Sequence, residues 1–143
     1  MATYAVYYAQ YSRGQHFKGD KSRHMEIVVE TANDGTTETG TAYHITGTSA
    51  FWTYEVVPNV HYQRTSFCGR LLLGTIPATG TALRSLQQLL GTLTLRHNDA
   101  SFNCQRWVWE AALFMRESGY RVDPVARFPD FLAKMHEAFD AWD

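Results

Sequence analysis

Residues 24–48 read HMEIVVETANDGTTETGTAYHITGT, and this stretch decides the fold class. His24–Thr31 carries Ile27, Val28 and Val29, a β-branched run that suits a strand. Asn33–Asp34–Gly35 is a strong turn signal, because Asn and Asp bond their own backbone and glycine accepts the positive φ of a tight turn. Thr41–Thr46 then resumes a strand pattern. Working outward, Thr3–Tyr8, Phe51–Val57, Val60–Arg64 and Cys68–Ile76 are further strand-like runs. Thr46–Gly47–Thr48–Ser49 separates two of them, and Pro58–Asn59 breaks the pattern. The last third changes period. Leu83, Leu86, Leu89 and Leu90 recur at helical spacing behind Thr79 or Thr81 as a cap. Asn103 caps the next helix, which carries Trp107, Val108, Ala111, Ala112 and Met115 on one face and stops at Gly119. Pro129 opens a last helix with Phe131, Leu132, Met135, Ala138, Phe139 and Trp142. The predicted fold is α+β, an antiparallel β-sheet packed against helices, in a single domain over residues 1–143.

Composition narrows the function classes. The chain has 143 residues, 45% hydrophobic and 19% charged, which is too apolar and aromatic for intrinsic disorder. Thirteen basic residues nearly balance fourteen acidic ones, so the basic excess of a nucleic-acid binder is missing. No apolar run approaches the ~20 residues of a membrane span. Met1–Gly14 lacks the basic and apolar regions of a signal peptide. Two cysteines, Cys68 and Cys104, make no disulfide framework, so free thiols in a reducing cytoplasm are expected.

The chemistry concentrates in Asp99–Glu110, DASFNCQRWVWE. With Asn103 as the cap, Cys104 lies in the first helical turn, where unpaired backbone N–H groups and the positive end of the helix dipole favour a thiolate. Such a setting lowers a cysteine pKa from ~8.5 toward neutrality, and the thiolate is the nucleophilic form. The same N–H groups suit an oxyanion. A base is still required, and the residues alone leave it open among His16, His24, His44, His61, His97 and His136.

Asn103–Cys104–Gln105–Arg106–Trp107–Val108 resembles the N-C-E-H-F-V motif of lecithin:retinol acyltransferase-like proteins and is similar to the N-C-N-H-F motif of PPPDE peptidases. Both belong to the circularly permuted branch of the NlpC/P60 papain-like superfamily, in which a strand histidine precedes the cysteine. His24–Met25–Glu26–Ile27–Val28–Val29 resembles the H-W-x-I-Y-V strand that supplies that histidine, and His44 matches a second one on the next strand. Met25 in place of the aromatic, and Gln105–Arg106 after the cysteine, depart from the pattern. The resemblance implies a cysteine hydrolase or acyltransferase acting on an amide, ester or thioester of a small molecule or peptide. Cys104 would be its nucleophile, His24 its base and His44 an orienting group, with no metal or organic cofactor. Gln105 is a candidate oxyanion or substrate-binding residue, although solvent contact is the plainer expectation for it. A non-catalytic binding module on the same fold, or a biosynthetic tailoring enzyme reusing the cleft, are the alternatives.

Each candidate also has a plain structural reading. Taken alone, Cys104 is one of the small buried residues that free cysteines usually are; the cap and the two ordered histidines favour reactivity. Cys68 opens an apolar strand and reads as packing. His97 reads as a turn residue, and His61 and His136 as surface or core-edge residues. The basic run Arg13–Arg23 reads as a solvated loop, or functionally as a substrate-gating flap. Tyr4, Tyr7, Tyr8 and Tyr11 read as edge-strand packing, Trp107, Trp109 and Phe114 as helix packing. A zinc site from His24, His44 and Cys104 has no Cys-x-x-Cys or His-x-x-x-His spacing behind it.

Overall fold

β-Branched and aromatic residues dominate the first half of the chain and build one antiparallel sheet. The computed structural model describes residues 2–12 and 23–142. In chain order the elements are β1 (Thr3–Tyr11), β2 (His24–Asn33), β3 (Glu38–Thr48), β4 (Phe51–His61), β5 (Phe67–Pro77), α1 (Gly80–Leu90), α2 (Cys104–Glu117), β6 (Arg121–Val122) and α3 (Phe128–Ala141). The strands lie in the order β4-β3-β2-β1-β5-β6, and every pairing is antiparallel. The fold is α+β, as the two periodicities predict. The basic run lies outside the described residues except for Arg23, and so does His16.

Local chemistry accounts for the element ends. Asp34 accepts from the backbone N–H groups of Thr36 (2.9 Å) and Thr37 (2.8 Å), and Gly35 takes φ +88° at the β2–β3 turn. Those bonds to its anionic form hold the Asp34 carboxyl down at about 2. Thr79, not Thr81, caps α1, accepting from Ala82 N at 3.0 Å. Asn103 caps α2 by accepting from Arg106 N at 2.9 Å. At the far end of α2, Gly119 at φ +92° lets Tyr120 N reach back to Met115 O at 3.0 Å.

Strand alternation divides the core into two layers. Met25, Ile27 and Val29 of β2 face the helices and pack in the main core with Trp107, Val108, Ala111, Ala112 and Met115 of α2. Full burial of each of the Met, Ile and Val side chains contributes about 1.5–3 kcal/mol. Val28 faces the other way, into a smaller cluster with Ala9, Tyr11, Ala42, Tyr62 and Phe67. His24 and Glu26 share the parity of Val28.

Two expectations are corrected. Pro58–Asn59 does not end a strand: β4 runs through it to His61 as a bulge, with Gly40 paired to Val60 but Ala42 to Val57, and Asn59 at φ +53°. The edge position of β4 tolerates the missing proline N–H. The run Val60–Arg64 is therefore not a separate strand; it ends at His61, and Tyr62 turns inward to complete burial (0% exposed) against Phe67. Two residues, Arg121–Val122, form a sixth strand on β5 that is too short for any periodicity to announce.

Candidate active site

The first turn of α2 meets the first residue of β2. Gln105 Nε2 donates to the backbone carbonyl of Arg23 at 2.8 Å, and the Cys104 thiol lies 4.0 Å from the same oxygen. Gln105 is therefore buried rather than solvated, and its amide docks the helix start onto the strand start. Arg23 is buried as well (3% exposed), against the expectation of a solvated loop. Its Nε donates to Gln10 Oε1 at 2.8 Å, and its guanidinium sits 4.4 Å above the Phe139 ring. Gln10 in turn donates to Met135 O of α3 at 2.7 Å.

This docking sets Cys104, at the start of α2, beside His24, at the start of β2, and Cys104 contributes to the electrostatics of the His24 ring. Burial by itself would lower the His24 pKa. The bonds to Cys104 and Glu26, and the negative charge of both partners, outweigh it and raise the ring to about 9.

Behind His24 lies a row of polar side chains set by the register of three strands. His24 Nε2 is 3.0 Å from Glu26 Oε2 and 3.1 Å from His44 Nδ1, and His44 Nδ1 is 3.3 Å from Glu26 Oε2. The pairing Ile27↔Tyr43 sets His44 beside Glu26, and the pairing His44↔Glu55 sets Glu55 on its far side. His44 Nε2 meets Glu55 Oε1 at 2.8 Å. Arg64 closes the row, with Nη2 3.4 Å from Glu26 Oε2 and its guanidinium 3.8 Å above the Tyr11 ring. Glu26 is 2% exposed. Burial pushes its carboxyl up, but the bond from His24 and the positive charges of His44, His24 and Arg64 hold it below the ordinary range. A carboxylate in that state orients His24 and stabilises an imidazolium.

The structure thus gathers Cys104, His24 and His44, three of the four candidate residues, into one site, with Gln105 beside it. Sequence reasoning missed Glu26, Glu55 and Arg64. The signal for Glu26 was present: it stands two residues after His24, on the same strand face, in an otherwise apolar run. The side-chain donor atoms of His24, Glu26 and His44 all lie within 4.8 Å of one another. The other candidates go elsewhere. His97 Nδ1 accepts from Trp52 N at 3.0 Å beside the β3–β4 hairpin, and the exposed His61 bonds Glu38 O. Cys68 is buried against Gln10 O at 3.6 Å, and neither cysteine is in a disulfide.

Two cavities bear on ligand access. One of about 510 Å³ is lined by Arg23, Met25, Gln105, Leu132 and His136, between the start of β2 and α3. A larger one, about 720 Å³, is lined by Thr3, Pro77 and Tyr120, at the opposite ends of β1 and α2 from the site. Among the described residues no helix is long and apolar enough to cross a membrane. The sequence profile of a family of unknown function matches residues 6–121. No curated protein and no solved structure matches the chain.

Proposed function

The chain belongs to DUF6540, a family of unknown function, and from that premise we propose that it is a cysteine-dependent acyl hydrolase or acyltransferase of the permuted papain-like kind. The observation that carries this reading is the docking of the capped helix start bearing Cys104 onto the strand start bearing His24, which Glu26 and His44 back. With its pKa raised to about 9, His24 holds the proton at neutral pH and Cys104 attacks as the thiolate. The sulfur adds to the carbonyl carbon of an amide, ester or thioester of a small molecule or peptide. The tetrahedral intermediate then collapses, and the leaving group departs with the proton from His24. Water, or an amine or alcohol, next attacks the acyl-enzyme, delivers its proton to His24 and restores the cysteine. Glu26 and His44 keep the ring oriented throughout.

Two cysteines outside any disulfide fit a reducing compartment such as the cytoplasm. An acyl electrophile tests the central step. Mass spectrometry should find one adduct on Cys104, and none on that position in Cys104→Ser. An equally slow reaction at Cys104 and Cys68 would sink the proposal. The binding-module reading has one observation in its favour: Cys104 is 3% exposed, and the neighbouring 510 Å³ cavity is lined by Gln105 rather than by Cys104 or His24. Under that reading the cavity takes a ligand and no adduct forms.

A further inference from the structure

We propose that His24 Nε2, Glu26 Oε2 and His44 Nδ1 form a binding site for one divalent cation of the zinc class, and that its occupancy silences His24. The three atoms stand 3.0, 3.1 and 3.3 Å apart. An ion held tetrahedrally at ordinary zinc–nitrogen and zinc–oxygen distances sets its ligand atoms roughly 3.3–3.4 Å apart. The triangle is therefore close to one face of a zinc tetrahedron, with the fourth position open.

Hydrogen bonds alone suit this triangle poorly. An imidazole nitrogen directs one proton or one lone pair along one line in the ring plane, yet His24 Nε2 has partners at 3.0 and 3.1 Å. The bond from His44 Nε2 to Glu55 at 2.8 Å commits that nitrogen to a proton, so Nδ1 is the nitrogen left to turn a lone pair toward an ion. Ionised Glu26 offers only acceptors. His24 Nε2 supplies at most one proton to this meeting of acceptors whatever the charge of its ring, whereas a cation at its centre receives all three groups.

The surroundings agree with this reading. The two rings cross at 75° with centroids 5.2 Å apart, so their edges converge instead of stacking. Glu55 behind His44 is the carboxylate–histidine arrangement that orients metal-binding imidazoles. Two nitrogens and one carboxylate favour zinc over the oxygen-seeking calcium and magnesium. Arg64, 3.4 Å from the same Glu26 oxygen, is the group an ion displaces. A histidine carrying a cation on Nε2 keeps at most one ring proton and cannot become the imidazolium. Silencing, unlike the binding itself, rests on the proposed acyl chemistry.

Calorimetric titration of the metal-free chain with zinc chloride tests the site. One ion should bind per chain, Glu26→Gln and His44→Ala should abolish binding, and Glu55→Gln should weaken it about 10–100-fold. Glu55 is half exposed, so its variant also guards against a folding artefact. Cobalt should give visible bands of a low-symmetry site without a thiolate charge-transfer band; such a band would overturn the ligand set. Absence of stoichiometric zinc binding, or binding unaltered by all three substitutions, would overturn the site. Iodoacetamide labelling of Cys104 separates the two proposals. Suppression by zinc, reversal by a chelator and indifference to zinc in Glu26→Gln support both. Sluggish labelling with and without bound zinc leaves the site and removes the acyl chemistry. Rapid labelling untouched by zinc removes the silencing.

Discussion

The two faces of β2 both bury residues near its start and do opposite things with them. Met25, Ile27 and Val29 lie against α2 in a layer that is almost wholly apolar. On the other face His24 and Glu26 are nearly as enclosed, yet they carry charge, and Val28 is the apolar residue that follows them. An apolar side chain stabilises wherever it is covered, whereas a buried carboxylate is tolerated only with partners in place. Glu26 has three: His24, His44 and Arg64, from β2, β3 and the turn after β4. One face therefore contributes cohesion, and the other contributes reactivity that depends on correct assembly of three segments.

The sharpest way to break this comparison is to substitute one group at a time. Cys104→Ser should eliminate acyl-adduct formation while leaving the thermal midpoint nearly unchanged, as mass spectrometry and calorimetry will show. His24→Ala should slow turnover by about 10²–10⁴-fold, the usual contribution of a positioned acid–base group, and His44→Ala should fall between it and the wild type. On the helix-facing side, Ile27→Ala should cost about 2–5 kcal/mol of stability in denaturant titration. If Ile27→Ala is silent in stability, the division of labour between the faces is wrong.

The faces should also differ in their response to pH, in chelator to keep the protein metal-free. The raised pKa of His24 contributes stability that is complete below 6.5 and is lost as pH rises through about 9. The depressed pKa of Glu26 contributes stability that is present above its ordinary value of 4.5 and is lost on acidification. The loss caused by Ile27→Ala should stay constant from pH 6 to 9, while the loss caused by His24→Ala should shrink over the same range. The smallest effect is expected at Cys68→Ser, about 1–3 kcal/mol of stability if the new hydroxyl stays unpaired, with turnover intact.

Much of this was legible in the chain itself. Periodicity located the long strands and all three helices, because apolar spacing of two or 3.6 is a local property. Asn103 announced the helix start, whereas the residues alone left the base open among six histidines, and His24 and His44 stood out only through the family resemblance. What stayed hidden was tertiary. Nothing near Arg23 in sequence shows that Gln10, Gln105 and Phe139 will enclose it. Arg64 reaches Glu26 only because the chain turns inward after the β4 bulge, which its own Pro58–Asn59 disguises as a terminator. Glu26 looked like an ordinary strand-face carboxylate, since the sheet's second buried face became evident only with Tyr62 and Phe67 folded over it.

The chain of bonds from Met135 through Gln10 and Arg23 to Gln105 has a mechanical consequence. It is a strut running from α3 across β1 to the start of α2, built from side-chain amides, a guanidinium and backbone carbonyls. None of these changes its proton count in the physiological range. The spacing between sulfur and imidazole is thus clamped by parts indifferent to acidity, while the atoms so clamped are the ones that exchange protons. A swing in pH alters the charge state of the site without loosening the frame that holds it.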